Sequence, residues 1–180
     1  YVLDTGSSDK TASLLQKRGA HVEKKVLTPF RFDVARNLSL DMVPNDTDIC
    51  VCIDLDEVLE KGWREKLESI WTKDTNRLYY NYNWSFDEYQ RPKVNFNISK
   101  IHDRTNYKWT HPVHEILTCQ KDKEVVLISN DITVNHYPDA TKSRSNYLPL
   151  LELSVKEDPL DDRNMHYLGR EYMFHGMWNE

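Results

Sequence analysis

An α/β fold on a mainly parallel sheet is the class this sequence predicts, on three observations. The run Ile49-Cys50-Val51-Cys52-Ile53 is apolar at every position, as a central parallel strand covered by helices on both faces would be. On either side of it, strand-like and helix-like patterns alternate as β-α-β-α-β-α between residues 1 and 71. That order builds parallel sheets. Finally, 39% hydrophobic and 11% aromatic residues in 180 supply apolar material for one sizeable core.

The elements follow in order. Tyr1-Val2-Leu3 reads as the end of a strand, closed by the turn Asp4-Thr5-Gly6-Ser7-Ser8-Asp9-Lys10-Thr11. A helix is expected from about Asp9, capped by Ser8, with Leu14 and Leu15 inward and Gly19 as its stop. His21 to Leu27 fits a short strand. Phe30, Val34, Leu38 and Met42 recur every four residues and predict one helical stripe, ended by Pro44-Asn45-Asp46. The apolar run at 49–53 ends at Asp54-Leu55-Asp56-Glu57, and Trp63, Leu67, Ile70 and Trp71 mark the next helix.

After Thr75 the texture changes. Arg77 to Trp84 and Lys93 to Ile101 read as strands around a polar turn at Asp87 to Pro92, and Val125 to His136 as a further strand. From Ser143 the pattern is helical, with Tyr147, Leu148, Leu151 and Val155, a break at Asp158-Pro159, then Met165, Leu168 and Tyr172. Leu168-Gly169-Arg170-Glu171-Tyr172 followed by Gly176 has the spacing of a tetratricopeptide helix. The predicted organisation is a core over 1–140 and C-terminal helices over 141–180.

Composition excludes several classes. With 24 Lys+Arg against 29 Asp+Glu, the net charge is −5, which argues against a nucleic-acid surface. No apolar run approaches the roughly 20 residues of a membrane span. Three cysteines, Cys50, Cys52 and Cys119, are too few and too awkwardly spaced for a disulfide framework and point to a reducing, cytoplasmic setting. There the four Asn-x-Ser/Thr triplets at Asn37, Asn45, Asn83 and Asn97 carry no meaning.

Asp54-Leu55-Asp56 places two carboxylates at the exit of the apolar strand, where ligands of parallel sheets bind. One acid can reach a hydroxyl while the other reaches a hard cation such as Mg²⁺ or Mn²⁺. The competing reading is an acidic cluster at a helix start. Asp4 exits a strand as well, and its carboxylate can accept from the imide N–H of a uracil or from a ribose hydroxyl. An ordinary turn explains it too.

On the D-T-G-S-S-D-K-T turn, Phe32-Asp33-Val34-Ala35-Arg36-Asn37, Asp54-Leu55-Asp56-Glu57 and Trp63, the sequence resembles the family-two glycosyltransferases of the GT-A fold. It is similar in particular to the bacterial subtype whose transferase core is followed by tetratricopeptide helices. The resemblance implies a Rossmann-like nucleotide-diphospho-sugar transferase core over 1–140, a Mn²⁺ or Mg²⁺ cofactor, a nucleotide-diphosphate sugar donor (UDP-linked in the first instance), and inversion at the transferred sugar. It implies that Asp4 contacts the base, Arg36 the base or diphosphate, and Asp54 the ribose. It further implies that Asp56 and His136, in Val134-Asn135-His136-Tyr137, hold the metal. Helical geometry is compatible with the role of Arg36, about 200° around from Val34, and a solvated or ion-paired arginine is the alternative.

Within Trp109-Thr110-His111-Pro112-Val113-His114-Glu115, the resemblance implies that Glu115 takes the acceptor proton and that His114 orients it or contacts phosphate. Trp109 and His111 would line the acceptor side. Zinc is not expected, because His-Pro-Val-His-Glu lacks the H-E-x-x-H arrangement. The acceptor would be a glycan, a lipid-linked glycan or a peptide, and the helical tail could engage a protein partner. Family members begin with a strand and helix upstream of the first acidic turn; by that pattern the chain reads as truncated at both ends. Two other classes stay open: a degenerate, non-catalytic scaffold, and a haloacid-dehalogenase-type phosphatase. The phosphatase would need Gly/Val-Thr after its D-x-D, whereas Glu57-Val58 follows here.

Overall fold

A computed structural model describes residues 1–139 and 147–179. The expected helical start at Ser143, and Glu180, lie outside the described residues. The chain divides into two compact units, one holding Tyr1–Pro44, Trp109–Thr118 and the C-terminal helices, the other Asn45–Lys108 and the segment that begins at Cys119.

In the first unit, β1 (Val2–Asp4) and β2 (Val22–Lys24) pair in parallel across α1 (Thr11–Lys17). Helix α1 starts two residues later than expected: Lys10 is its N-cap and Ser8 plays no capping part, while Asp9 accepts from the Thr11 amide at 2.9 Å. Gly19 at φ +89° ends the helix as its sequence position demands. Helix α2 (Phe32–Asp41) does not use the predicted stripe. Val34 is 37% exposed, and the buried side chains are Asp33 and Leu40. The reason is ionic. Arg31 forks onto Asp33 at 3.1 and 2.8 Å and onto Glu157 at 2.6 and 3.0 Å, turning Asp33 inward and rotating the helix.

The second unit is built on a five-stranded sheet. It contains β3 (Cys50–Val51), β4 (Glu57–Leu59), β5 (Arg77–Phe86), β6 (Pro92–His102) and β9 (Val126–His136), with α3 (Trp63–Ile70) against it. The strand order is β3-β6-β5-β9-β4, and every pairing is antiparallel except β5 with β9. Leu67 of α3 packs with Leu78, Tyr80, Tyr82, Ile101, Ile132 and Val134 to make its core. Strands β7 (Tyr107–Thr110) and β8 (Ile116–Cys119) form a separate two-stranded ribbon. Helices α4 (Tyr147–Glu157) and α5 (Asp162–Phe174) complete the first unit, the second capped by Asp161 onto the Asn164 amide at 2.9 Å.

These topologies overturn the predicted fold class. The central sheet is mixed and mostly antiparallel, not the mainly parallel, Rossmann-like GT-A core. The apolar run 49–53 is an edge strand of two residues, paired antiparallel with β6 through Cys50↔His102 and Val51↔Ile101, and Ile53 is 45% exposed. Continuous apolarity signals burial on both faces but not the direction of the neighbour. The long β5–β6 hairpin has the advantage of a short connection, since Asp87 organises its turn by accepting from the Tyr89 and Arg91 amides, each at 2.9 Å. It takes the centre of the sheet and leaves β3 a flank.

Candidate functional site

Between the exit of β3 and the helix at Trp63 the sequence pattern indicates no strand. The segment forms β4, and the antiparallel register Glu57↔His136 with β9 brings Asp56 beside His136. The Tyr137 amide donates to the Asp56 carbonyl at 2.7 Å, which pins the approach. Asp56 Oδ2 then lies 3.7 Å from His136 Nε2.

The tautomer of His136 follows from its other nitrogen. Nδ1 is 3.0 Å from the carbonyl oxygen of Trp84, and a carbonyl can only accept, so Nδ1 carries the hydrogen. In the neutral ring, the Nε2 lone pair is left facing the Asp56 carboxylate across a gap too wide for a good hydrogen bond. A cation between them relieves that opposition. The indole of Trp84 stacks on the imidazole at 4.6 Å and fixes its plane. A cavity of about 380 Å³ opens alongside, lined by Leu55, Asp56, Val58, Tyr137 and Asp139.

This donor set fits a divalent cation. A carboxylate oxygen and an imidazole nitrogen suit Mn²⁺, and the second imidazole N–H is given to a backbone carbonyl, as ligating histidines usually arrange. Among the described residues no group of three or more His, Cys, Asp or Glu side chains gathers as a metal cage. A cation placed there would have these two side chains as ligands and its other positions open to water.

Asp54 is held differently from Asp56. Lys100 Nζ lies 2.8 Å from Asp54 Oδ2 and 2.5 Å from Glu57 Oε1. The Tyr82 hydroxyl donates to the same Glu57 oxygen at 2.8 Å, and the Asp54 amide donates to Glu57 Oε2 at 2.8 Å. The Glu57 side chain is only 1% exposed. Burial and then this carboxylate push the Tyr82 phenol well above its ordinary range. Glu57 is thus the residue that folds the Asp54–Glu57 turn, and sequence reasoning passed over both it and Lys100. The available signal was a lysine between Ile98 and Ile101 in a strand-like run, where a charge must find a buried partner.

In the first unit, Asp4 is 5% exposed at the β1 exit. Its Oδ1 accepts from the amides of Ser7 at 2.7 Å and Gly6 at 3.0 Å, a turn that needs Gly6 at φ +129°. These bonds hold the carboxyl below the usual range. Its Oδ2 is buried and accepts nothing within the described residues, so it keeps the capacity to receive an N–H or O–H.

The His111–Glu115 loop belongs to this unit as well. His111 at φ +76° and His114 at φ +52° are non-glycine residues in the left-handed region. Such strain, about 1–3 kcal/mol each, persists only where surroundings impose it. The Phe32 amide donates to the Pro112 carbonyl at 2.9 Å, and Arg163 donates to the His114 carbonyl at 2.8 Å. His111 Nδ1 accepts from Asn164 Nδ2 at 2.9 Å. The His114 ring stacks on Tyr167 at 4.0 Å, and Val113 is buried with Leu150 and Leu151. The loop ends on an Arg36–Glu115 ion pair, with the guanidinium 4.7 Å over the Trp109 ring. Asn37 clamps Trp109 from the same helix, donating to its carbonyl at 2.8 Å and accepting from its amide at 2.9 Å. Two residues assigned to different tasks by the resemblance, Arg36 and Glu115, therefore meet as partners.

The sequence matches no protein-family model and no curated protein.

Proposed function

We propose that the chain carries a metal-assisted group-transfer site, and more particularly that of a glycosyltransferase using a nucleotide-diphosphate sugar, UDP-linked in the first instance. The observation that carries this reading is the Asp56–His136 pair, 3.7 Å apart beside a cavity. The resemblance to family-two glycosyltransferases adds to it through residues, not through fold. Asp56 and His136 would hold Mn²⁺ or Mg²⁺, which when bound neutralises charge on a departing diphosphate.

The resemblance, not the placement of one unit against the other, assigns the remaining roles. Asp4, with one carboxylate oxygen still able to accept, receives the N–H of the base. Asp54, fixed by Lys100, accepts from a ribose hydroxyl. Glu115 takes the proton of the acceptor hydroxyl as that oxygen bonds to the anomeric carbon and the bond to the diphosphate breaks, with inversion. Arg36 orients the Glu115 carboxylate, and His114 fixes the loop by packing. Three free thiols favour the cytoplasm as the compartment. No helix of the described residues is long and apolar enough to cross a membrane.

Calorimetric titration with Mn²⁺, then with UDP, GDP, CDP and dTDP in its presence, tests the reading. One nucleotide should bind in a Mn²⁺-dependent manner, and Asp56→Ala and His136→Ala should each weaken Mn²⁺ binding tenfold or more. Unchanged Mn²⁺ affinity in both variants would refute it.

A further inference from the structure

The β5–β6 hairpin carries more aromatic surface than its core uses. Tyr80 and Tyr82 are buried, but Trp84 and Phe96, further along the same side of the two strands, are each 44% exposed. Trp84 and Tyr82 both stack on His136. Trp84 lies 4.6 Å from the imidazole and 6.4 Å from Phe96, and Phe96 lies 5.6 Å from Tyr82. Phe86 and Tyr137 stack at 5.4 Å with planes 7° apart, and Tyr137 is 51% exposed. Leu67 of α3 packs over Tyr80 and Tyr82, leaving these outer rings uncovered. Tyr137 of this second pair also lines the cavity of about 380 Å³, a size within the range of small-ligand pockets.

We propose that this aromatic platform seats the pyranose rings of a neutral oligosaccharide, which makes the acceptor of the transferase a glycan; the acceptor role rests on the reading above, the binding does not. Three features select this occupant. Flat, partly exposed rings suit the C–H faces of pyranoses, which stack on them without needing a deep groove. The same cavity is lined by the Asp56 and Asp139 carboxylates, and an acyl chain laid there would face them with hydrocarbon. Sugar hydroxyls would donate to Asp139 instead, with Asp56 left to the metal. The two carboxylates also disfavour an acidic sugar, so the ligand is neutral.

The test is binding, without metal or nucleotide, of cello-, malto-, chito- and manno-tetraose, read at the tryptophan indole N–H resonances. At least one should saturate and shift the Trp84 signal, assigned through Trp84→Phe. Trp84→Ala and Tyr137→Ala, checked for unchanged melting and titrated with the same tetraose by calorimetry, should weaken that binding tenfold or more, while Trp84→Phe keeps most of it. Vesicles of phosphatidylglycerol form the competing arm. If vesicles perturb Trp84 and no tetraose does, or if neither does, the proposal is overturned. A tetraose that binds in a protein unable to hold Mn²⁺ at Asp56 and His136 would uphold the sugar seat and remove the transferase reading.

Discussion

Replacing Lys100 by Met strands a carboxylate. Lys100 is 9% exposed and reaches Glu57 at 2.5 Å and Asp54 at 2.8 Å, while the Glu57 side chain is 1% exposed. Methionine fills the space of the lysine stem but leaves Glu57 with only the Tyr82 hydroxyl and the Asp54 amide. Removing one partner of a buried ion pair costs about 3–5 kcal/mol, because the remaining charge has no water to return to. For a chain of this length that corresponds to a Tm lower by about 6–20 °C. Urea unfolding, followed by the fluorescence of Trp63, Trp71 and Trp84 in the same unit, measures it. The paired variant Glu57→Gln/Lys100→Met should recover at least half of the loss, since the neutral amide oxygen still accepts from the Asp54 amide while its NH2 donates to the Tyr82 hydroxyl oxygen. A loss below about 1 kcal/mol for Lys100→Met, or no recovery in the pair, would refute the assignment of Glu57 as the buried anchor of the Asp54–Asp56 turn.

Two further outcomes are expected. Burial lowers the His102 pKa, so the unfolded chain takes up the proton first as pH falls: stability is fully present above about pH 6.5 and declines below it, by up to about 1.4 kcal/mol per pH unit. Urea midpoints at pH 7.5, 6 and 5 should show the decline, and His102→Gln should flatten it; a pH-independent wild type would contradict the burial cause. The Cys50 thiol is pushed up to about 12 by burial, so iodoacetamide at pH 8 should label Cys52 and Cys119 well before Cys50, as read by peptide mass spectrometry.

What was legible in the sequence is what short-range pattern controls. Strands near 77–86, 92–102 and 126–136, the helix from Trp63, the turn at Asp87 and the stop at Gly19 all follow from periodicity or turn chemistry within a few residues. Helix α2 was found, but its inward face was misjudged, because the pattern counted apolar residues while Arg31 set the rotation through Asp33 and Glu157. Glu57 and Lys100 escaped notice for a related cause: each is costly to bury alone, and only the other, 43 residues away, makes burial tolerable.

The amino-acid sequence by itself determined the helices, the longer strands and the positions of the acids, though not the short strands β4, β7 and β8, because these features depend on residues adjacent along the chain. Only the tertiary structure decided that the apolar run at 49–53 lies at an edge, that β4 exists, that Asp56 faces His136 and that Arg36 meets Glu115. Strand direction and order are settled by which backbone hydrogen bonds close between distant segments. A pairing across 79 or 80 residues leaves no periodic trace in the residues between.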